Sequence, residues 1–245
     1  MRTSRLLLAA VVGAQVAYPR LPAARQVAAT RGIVGLMLGA SVVDAVEERG
    51  AARAAALTGS AAAIGFGAEL SGVASGLPFG HYAYSGKLGP RVRGVPLLAA
   101  ACWAMMAGPS WAVAGRITRR RGPRAALAAG ALAAWDVYLD PRMVREGYWT
   151  WERPGRYEDV PLSNFAGWVA TAGAVFALWT VLDGGDARAG DDGALALYTW
   201  TWIGEGVANV LFWQRPRVAL AGGAAMGAFA LPALRARLAA GRRGR

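Results

Sequence analysis

The sequence predicts an all-α fold, a polytopic transmembrane helical bundle of about seven or eight spans that forms one integral membrane domain over residues 1–245. Composition is the first reason: 55% of the residues are hydrophobic and only 17% are charged, whereas soluble domains carry about a quarter charged residues. The charges also cluster, and the apolar runs between the clusters approach the length that crosses a bilayer, about 17–25 residues. The single cysteine, Cys102, excludes a disulfide framework within the chain.

The apolar runs define eight candidate spans. The first is short and follows Arg2 and Arg5, so "LLLAAVVGAQVA" also fits a cleaved secretory signal, whose loss would leave seven spans. We favour a retained helix. In chain order the spans cover about 4–18, 27–46, 52–76, 95–115, 124–140, 163–182, 193–213 and 217–233.

The net charge of +12 comes mainly from arginines that flank the apolar runs. Membrane proteins carry positive charge at such places, so we expect a lipid bilayer and no nucleic acid as the partner of these arginines. The clusters "RITRRRGPR" and "RARLAAGRRGR", the second within a basic tail over 234–245, lie on the same side. Because cytoplasmic loops carry excess Lys and Arg, both termini are expected in the cytoplasm of a multi-pass cell-membrane protein.

Two polar segments resemble each other. "GHYAYSGKLGPRVRGVPLLAAACW" begins at Gly80, and "GYWTWERPGRYEDVPLSNFAGW" begins at Gly147. Each opens with glycine and an aromatic-x-aromatic pair, contains Val-Pro-Leu, and has a tryptophan seven positions after that proline. An acid precedes each glycine by eleven positions, Glu69 in the first segment and Asp136 in the second. This joint agreement indicates an internal repeat.

The predicted repeat unit is a helix, a polar loop and a second helix, occurring twice in parallel orientation. The two units cover approximately 52–115 and 124–182. Glu69 and Asp136 should then occupy equivalent depths on two helices that run the same way. Since two spans separate the polar loops, both loops should emerge on one face of the membrane.

Four acids lie within or at the end of apolar runs: Glu69, Asp136, Asp140 and Glu205. A charge is expensive there, so such residues usually mark a functional site. A structural ion pair is the alternative, and it is strongest for Glu205. Asp136 and Asp140 are four positions apart, which places them on one helix face about 6 Å from each other. Two such carboxyls cannot both ionise easily, so one can donate a proton while its neighbour holds a water, and this acid–base chemistry needs no cofactor.

Five aromatic residues accompany these acids: Tyr82, Tyr84, Tyr148, Trp149 and Trp151. Each alone fits the belt of aromatic residues that sits at a membrane interface. Together, next to buried acids, they could line a channel for a flat apolar substrate, and their ring faces would stabilise a carbocation.

Other chemistries have less support in the sequence. His81 is the only histidine, which leaves little basis for a histidine metal site or a catalytic triad, and we expect no metal. "GFGAELSG" lacks the spacing of a dinucleotide-binding loop. "DVYLD" resembles half of the aspartate pattern of intramembrane prenyltransferases, and Arg142 and Arg145 could grip a phosphate. A prenyltransferase is therefore the runner-up, although the matching segment offers only Glu69 as a second acid.

The segments "GHYAYSGKLGPRVRGVPLL…WAMM" and "WDVYLDPRMVREGYWTW…VPLSNFAGW" resemble the membrane-bound carotenoid biosynthesis family. That family includes carotenoid 1,2-hydratases and bisanhydrobacterioruberin hydratase, and the resemblance runs from about Glu69 to Thr171. It implies a cofactor-independent enzyme that adds water across the terminal double bond of an acyclic carotenoid end, giving a tertiary alcohol. Other enzymes of carotenoid biosynthesis are candidate partners.

The site predicted in this way has two groups of residues. The resemblance implies that Glu69, Asp136 and Asp140 are the acidic catalytic positions. The expected substrate-binding residues are Tyr82, Tyr84, Arg142, Tyr148, Trp149, Trp151, Asn164 and Glu205.

Alternatives of several classes stay open at the level of sequence. The same protonation could end in cyclisation or isomerisation if water were excluded. A proton-coupled transporter also has intramembrane acids and parallel repeats. A scaffold that holds a carotenoid without changing it would need the aromatic channel alone.

Overall fold

The computed structural model describes residues 2–183 and 192–243, and in that part of the chain eight α-helices carry most of the structure. Four very short strands lie in the loops that follow α3 and α5. The helices are α1 (Thr3–Ala17), α2 (Ala23–Arg49), α3 (Ala51–Ser75), α4 (Leu97–Ile117), α5 (Arg121–Arg145), α6 (Leu162–Leu182), α7 (Asp192–Leu211) and α8 (Pro216–Arg243).

The predicted helical bundle is confirmed, and each candidate span coincides with one helix. By length and hydropathy, four of the described helices are apolar enough to cross a membrane, namely α2, α4, α6 and α8. The count of seven or eight spans stays a prediction. Helix α1 has 15 residues, fewer than the roughly 20 that a span needs. Helix α8 runs on to Arg243, so the predicted basic tail is largely its continuation, while residues 244–245 lie outside the described part.

Proline and glycine mark the helix ends. Pro22, Pro96 and Pro161 directly precede α2, α4 and α6 in an extended conformation, where the missing N–H of proline costs no helical hydrogen bond. Gly76 ends α3 with φ +77°, a left-handed conformation that glycine adopts without strain. These ends place the two polar loops directly after α3 and α5.

Strands within the polar loops correct the purely helical prediction. β1 (Tyr82–Tyr84) pairs antiparallel with β4 (Trp149–Trp151), while β2 (Arg91–Val92) pairs with β3 (Val95–Pro96). The aromatic-x-aromatic pattern has the period of two that turns alternate side chains to one face of a strand, and aromatic residues favour strands. Because β1 and β4 pair with each other, the two loops lie at the same end of the bundle, as the sequence predicted.

Helix α4 occupies the centre of the bundle, in contact with α2, α3, α5, α7 and α8. Small residues permit these close approaches. A Cβ at Gly65 of α3 would collide with the ring of Trp103 on α4, and a Cβ at Gly222 of α8 would collide with the ring of Tyr138 on α5. The packing therefore fixes which face of α4 and α5 each neighbouring helix covers.

A charged cluster joins four helices at the end opposite the polar loops. Asp183 accepts hydrogen bonds from Trp111 Nε1 at 2.7 Å and from Arg49 Nε at 3.1 Å. The guanidinium of Arg124 lies 3.8 Å from the centre of the Trp111 ring and 3.9 Å from Asp183. The sequence placed Arg124 in a flanking cluster at the membrane surface, but the structure buries it completely, because a carboxylate and an indole ring compensate for the lost water.

Candidate active site

A small cavity beneath the polar loops collects most of the predicted site residues. Its volume is about 40 Å³, and we call it the acid pocket. Helices α3, α4, α5 and α6 form its walls, and strands β1 and β4 cover it. It is lined by Glu69, Phe79, Tyr82, Tyr84, Leu88, Ala99, Cys102, Trp103, Leu139, Asp140, Trp149, Trp151, Asn164 and Trp168.

Glu69 is held by three donors. Its Oε2 accepts hydrogen bonds from the hydroxyls of Tyr82 and of Tyr84, the latter at 2.8 Å, and its Oε1 accepts one from Trp103 Nε1 at 3.0 Å. The donors come from β1 and α4, so the carboxylate of α3 is fixed to both neighbours. The three hydrogen bonds fix the orientation of this buried carboxylate, and all three donors are aromatic side chains.

The two tyrosines act as donors in this arrangement. Burial raises the pKa of Tyr82 and of Tyr84 well above the usual value, and the adjacent Glu69 carboxylate adds to the shift in each case. Both hydroxyls therefore keep their protons at neutral pH and donate to Glu69.

Asp136 and Asp140 meet at one amide. Nδ2 of Asn164, in the first turn of α6, donates to Oδ2 of Asp136 at 2.7 Å and also to Oδ2 of Asp140. All three side chains are buried. Oδ1 of Asp136 accepts no hydrogen bond from any residue that the structure describes. The spacing of four positions along α5 has thus brought the two carboxyls together, and the structure adds the amide that joins them.

Strands β1 and β4 supply the aromatic cover. In their register Tyr82 lies opposite Trp151, and Tyr84 lies opposite Trp149. The ring centres are 5.8 Å and 5.6 Å apart in these two pairs, within the range of favourable aromatic contacts. The four rings share one face of the strand pair, and this face points into the acid pocket.

Two further tryptophans belong to the pocket, although the prediction of site residues omitted them. Trp103 of α4 and Trp168 of α6 stack with ring centres 4.2 Å apart, and Trp103 also contacts Glu69. The sequence contained a signal for both, because each lies seven positions after the proline of a Val-Pro-Leu segment.

Asp136 does not line the acid pocket itself but lies beside it, joined to Asn164. Three other predicted residues lie elsewhere: Arg142, Tyr148 and Glu205. Arg142 and Glu205 line a second cavity of about 360 Å³ between α1, α2, α4, α5 and α7, which we call the apolar cavity. Tyr148 donates from its hydroxyl to Thr30 at 3.0 Å, and Thr30 also lines the apolar cavity. The structure therefore divides the predicted site between two neighbouring cavities.

The charges of the apolar cavity are paired with each other. The guanidinium of Arg142 lies 4.6 Å from the ring centre of Tyr18 and 4.3 Å from that of Trp213. Its Nε donates to Glu146 at 3.0 Å, and its Nη1 lies 3.9 Å from Glu205. Glu205 is accordingly an ion-pair partner, the alternative that the sequence favoured most for this acid.

The described residues contain no group of three or more His, Cys, Asp and Glu side chains placed as metal ligands. What the acid pocket brings together is a pair of carboxyls joined by an amide, a third carboxylate held by hydroxyl and indole donors, and a cover of aromatic rings. Such groups can give and take protons and can stabilise positive charge next to an apolar ligand.

Comparison with known proteins identifies the family. A family model described as "Carotenoid biosynthesis protein" matches residues 29–229. Bisanhydrobacterioruberin hydratase of Haloarcula japonica is 31% identical over 163 residues, which is 64% of this chain and 53% of the relative. The match thus spans about half the length of that relative. No solved structure matches the chain.

Proposed function

Because the chain belongs to the carotenoid biosynthesis protein family, we propose that it adds water to the terminal carbon–carbon double bond of an acyclic carotenoid end, giving a tertiary alcohol. The observation that carries the proposal is the pair of carboxyls, Asp136 and Asp140, joined by Asn164, with Asp140 and Asn164 lining an aromatic pocket. The hydratase named among the relatives supports the reaction type.

The first step of the proposed reaction is a proton transfer. Two carboxyls that share one donor in a buried site cannot both be charged without a large penalty, so the pair holds one proton. Asp136 Oδ1, which lacks a partner among the described residues, is the atom that we assign to this proton, and Asp140, the member of the pair that lines the pocket, delivers it to the substrate. Its transfer to the less substituted alkene carbon leaves a tertiary carbocation on the neighbouring carbon.

The aromatic cover stabilises that cation in the proposed mechanism. The faces of Tyr and Trp rings attract a nearby positive charge by roughly 0.5–2 kcal/mol each, and more strongly where water is excluded. Tyr82, Tyr84, Trp149 and Trp151 all line the pocket. Glu69 contributes a further negative group whose orientation is fixed by its three donors.

Water completes the reaction by attack on the cation. Asp140 or Glu69 orients the water, whose oxygen forms the new C–O bond. The proton that the water loses returns to the Asp136–Asp140 pair, either directly or by way of Glu69, so that the general acid is restored. The pocket of about 40 Å³ has room for water but not for a carotenoid end. Binding of the substrate must therefore displace part of the aromatic cover formed by β1 and β4.

We infer that the two units of the internal repeat predicted from the sequence both contribute to this pocket. The antiparallel pairing of β1 with β4 places the first aromatic residue of each segment opposite the second of the other. The two tryptophans that follow the equivalent prolines, Trp103 and Trp168, stack on each other. Both contacts are what two units related by a local twofold axis would make, and they support a site assembled from both units.

Labelled water tests the proposal directly. Membranes that contain the protein are incubated with an acyclic-ended carotenoid in H₂¹⁸O, and the product is analysed by mass spectrometry. We expect a tertiary alcohol that carries the heavy oxygen, because the hydroxyl derives from water. Membranes without the protein are the control.

Two results would contradict the proposal. An unchanged carotenoid would remove the enzymatic function, and an alcohol without label would exclude water as the nucleophile. A product of the same mass as the substrate but different retention would assign the chain to cyclisation or isomerisation instead.

A further inference from the structure

We propose that the apolar cavity admits the long polyene chain of the substrate sideways from the bilayer and holds it while its end reacts in the acid pocket. This inference rests on the proposed function. It assigns a role to a cavity that the chemistry of hydration does not use, and it makes chain length a determinant of affinity.

The apolar cavity has a lateral opening. Its lining includes Val16 of α1 and Ile203, Val207 and Leu211 of α7, whose side chains are about half exposed or more, up to 65% for Leu211. If α1 and α7 lie in the membrane, as the sequence predicts, their exposed apolar side chains face lipid. An occupant can therefore pass between α1 and α7 directly from the hydrocarbon phase, where a carotenoid dissolves.

The end of the apolar cavity next to the polar loops is closed by charge and aromatic rings. Arg142 lies between the rings of Tyr18 and Trp213 and pairs with Glu205. Tyr18, Arg142 and Trp213 stand where α1, α5 and α7 end. A second arginine, Arg20, lines the same end; it is exposed, lies over the ring of Phe212 and donates from Nη1 to the carbonyl oxygen of Val16. Since most of the remaining lining is apolar, the cavity suits an uncharged hydrocarbon chain.

The two cavities are neighbours across helix α5. Leu139 lines both of them. Asp140, one position along, lines the acid pocket, while Arg142 and Met143 line the apolar cavity. The side chain of Leu139 thus borders both the space for the chain and the space for the reaction.

Volume and flexibility suit a hydrocarbon chain. The apolar cavity, at about 360 Å³, lies within the range of small-molecule sites, about 300–1,000 Å³. Met37, Met105 and Met143 contribute to its wall, and methionine side chains adapt to irregular apolar ligands. The acid pocket is nine times smaller by these two volumes (360/40), so it takes no more than the reacting end, and takes that only when part of the aromatic cover has moved.

The experiment uses substitutions that narrow the apolar cavity and leave Arg142 and Glu205 unchanged. Gly204 of α7 lines it, and a Cβ there would meet only the Trp200 ring, at 3.5–3.8 Å, so Gly204→Leu fits the backbone and occupies the cavity. Val207→Phe is a second variant on the same wall. The matched control is Gly173→Leu on α6, where a Cβ meets nothing within 4 Å.

Binding and turnover are measured separately. Binding of a long acyclic carotenoid to the protein in nanodiscs is followed by quenching of tryptophan fluorescence, since Trp135, Trp200 and Trp213 line the apolar cavity. We expect Gly204→Leu and Val207→Phe to weaken binding about tenfold, equivalent to about 1.4 kcal/mol. The ratio of kcat/KM for the long carotenoid to that for a short acyclic terpene with the same terminal double bond should fall by a similar factor.

The outcomes distinguish this inference from the proposed function. Unchanged carotenoid binding in both cavity variants, or equal losses for the long and the short substrate, would overturn the inference even if hydration is observed. Weaker binding in the two variants but not in Gly173→Leu supports it. If wild-type protein binds the carotenoid through this cavity but forms no alcohol, the proposed function fails while the binding site stands.

Discussion

The acid pocket and the apolar cavity share helix α5, but the acids next to them have different partners. In the acid pocket Glu69, Asp136 and Asp140 receive hydrogen bonds from neutral donors only, namely tyrosine hydroxyls, an indole and an amide. In the apolar cavity Glu205 lies beside the guanidinium of Arg142. An acid next to a fixed cation is neutralised in place, whereas acids held by neutral donors can exchange protons with a ligand. The partner of an intramembrane acid, more than its depth, thus indicates its role.

The contrast between the two cavities predicts the largest loss of activity for substitutions in the carboxyl pair. Asp136→Asn and Asp140→Asn each remove one carboxyl while keeping the shape of the side chain. Loss of a general acid or base lowers kcat by about 10²–10⁴-fold, and we expect hydration to fall within this range for both variants. The measurement is alcohol formation per amount of folded protein in membranes.

The control for the carboxyl pair is Asp192→Asn, because Asp192 pairs with Arg237 and Arg116 at the start of α7, away from both cavities. This variant should retain wild-type kcat. Full activity in both Asp136→Asn and Asp140→Asn would remove the pair from the mechanism and end the distinction between the two cavities.

A smaller effect, on stability, is expected in the apolar cavity. Arg142→Lys keeps the charge but loses the planar group that lies between Tyr18 and Trp213, and lysine does not replace stacked arginine. We expect the free energy of unfolding to fall by roughly 1–2 kcal/mol, which is measured as a lower Tm in detergent. Arg237→Lys is the matched control, since its pair with Asp192 is exposed and such pairs contribute little. An equal Tm for the two variants would contradict the role of stacking.

The smallest effect is expected from a single hydroxyl of the acid pocket. Tyr84→Phe keeps the ring against Trp149 but removes one of the three donors to Glu69, a hydrogen bond contributing about 1 kcal/mol. We expect kcat to fall several-fold. Tyr198→Phe loses a hydrogen bond to Ala131 outside both cavities, so it should lower stability without changing kcat. A Tyr84→Phe enzyme that matches Tyr198→Phe in kcat would show that the orientation of Glu69 is unimportant.

The sequence by itself determined the positions of the helices, because charges and prolines interrupt apolar runs of nearly constant length. It also determined which acids are exceptional, since Glu69, Asp136 and Asp140 stand in stretches with few other polar residues. The four-residue spacing of the two aspartates was enough to place them on one face of α5.

Only the tertiary structure decided which residues meet. Asn164 reaches the aspartates from α6, and the strand pair that turns four aromatic rings inward joins loops 65 positions apart (Tyr84 to Trp149). The sequence grouped Arg142 and Glu205 with Asp140 in one site. They line a separate cavity because α5 presents one face to α6 and another to α7. Helical periodicity tells which residues share a face, but the helices that pack against that face decide what it does.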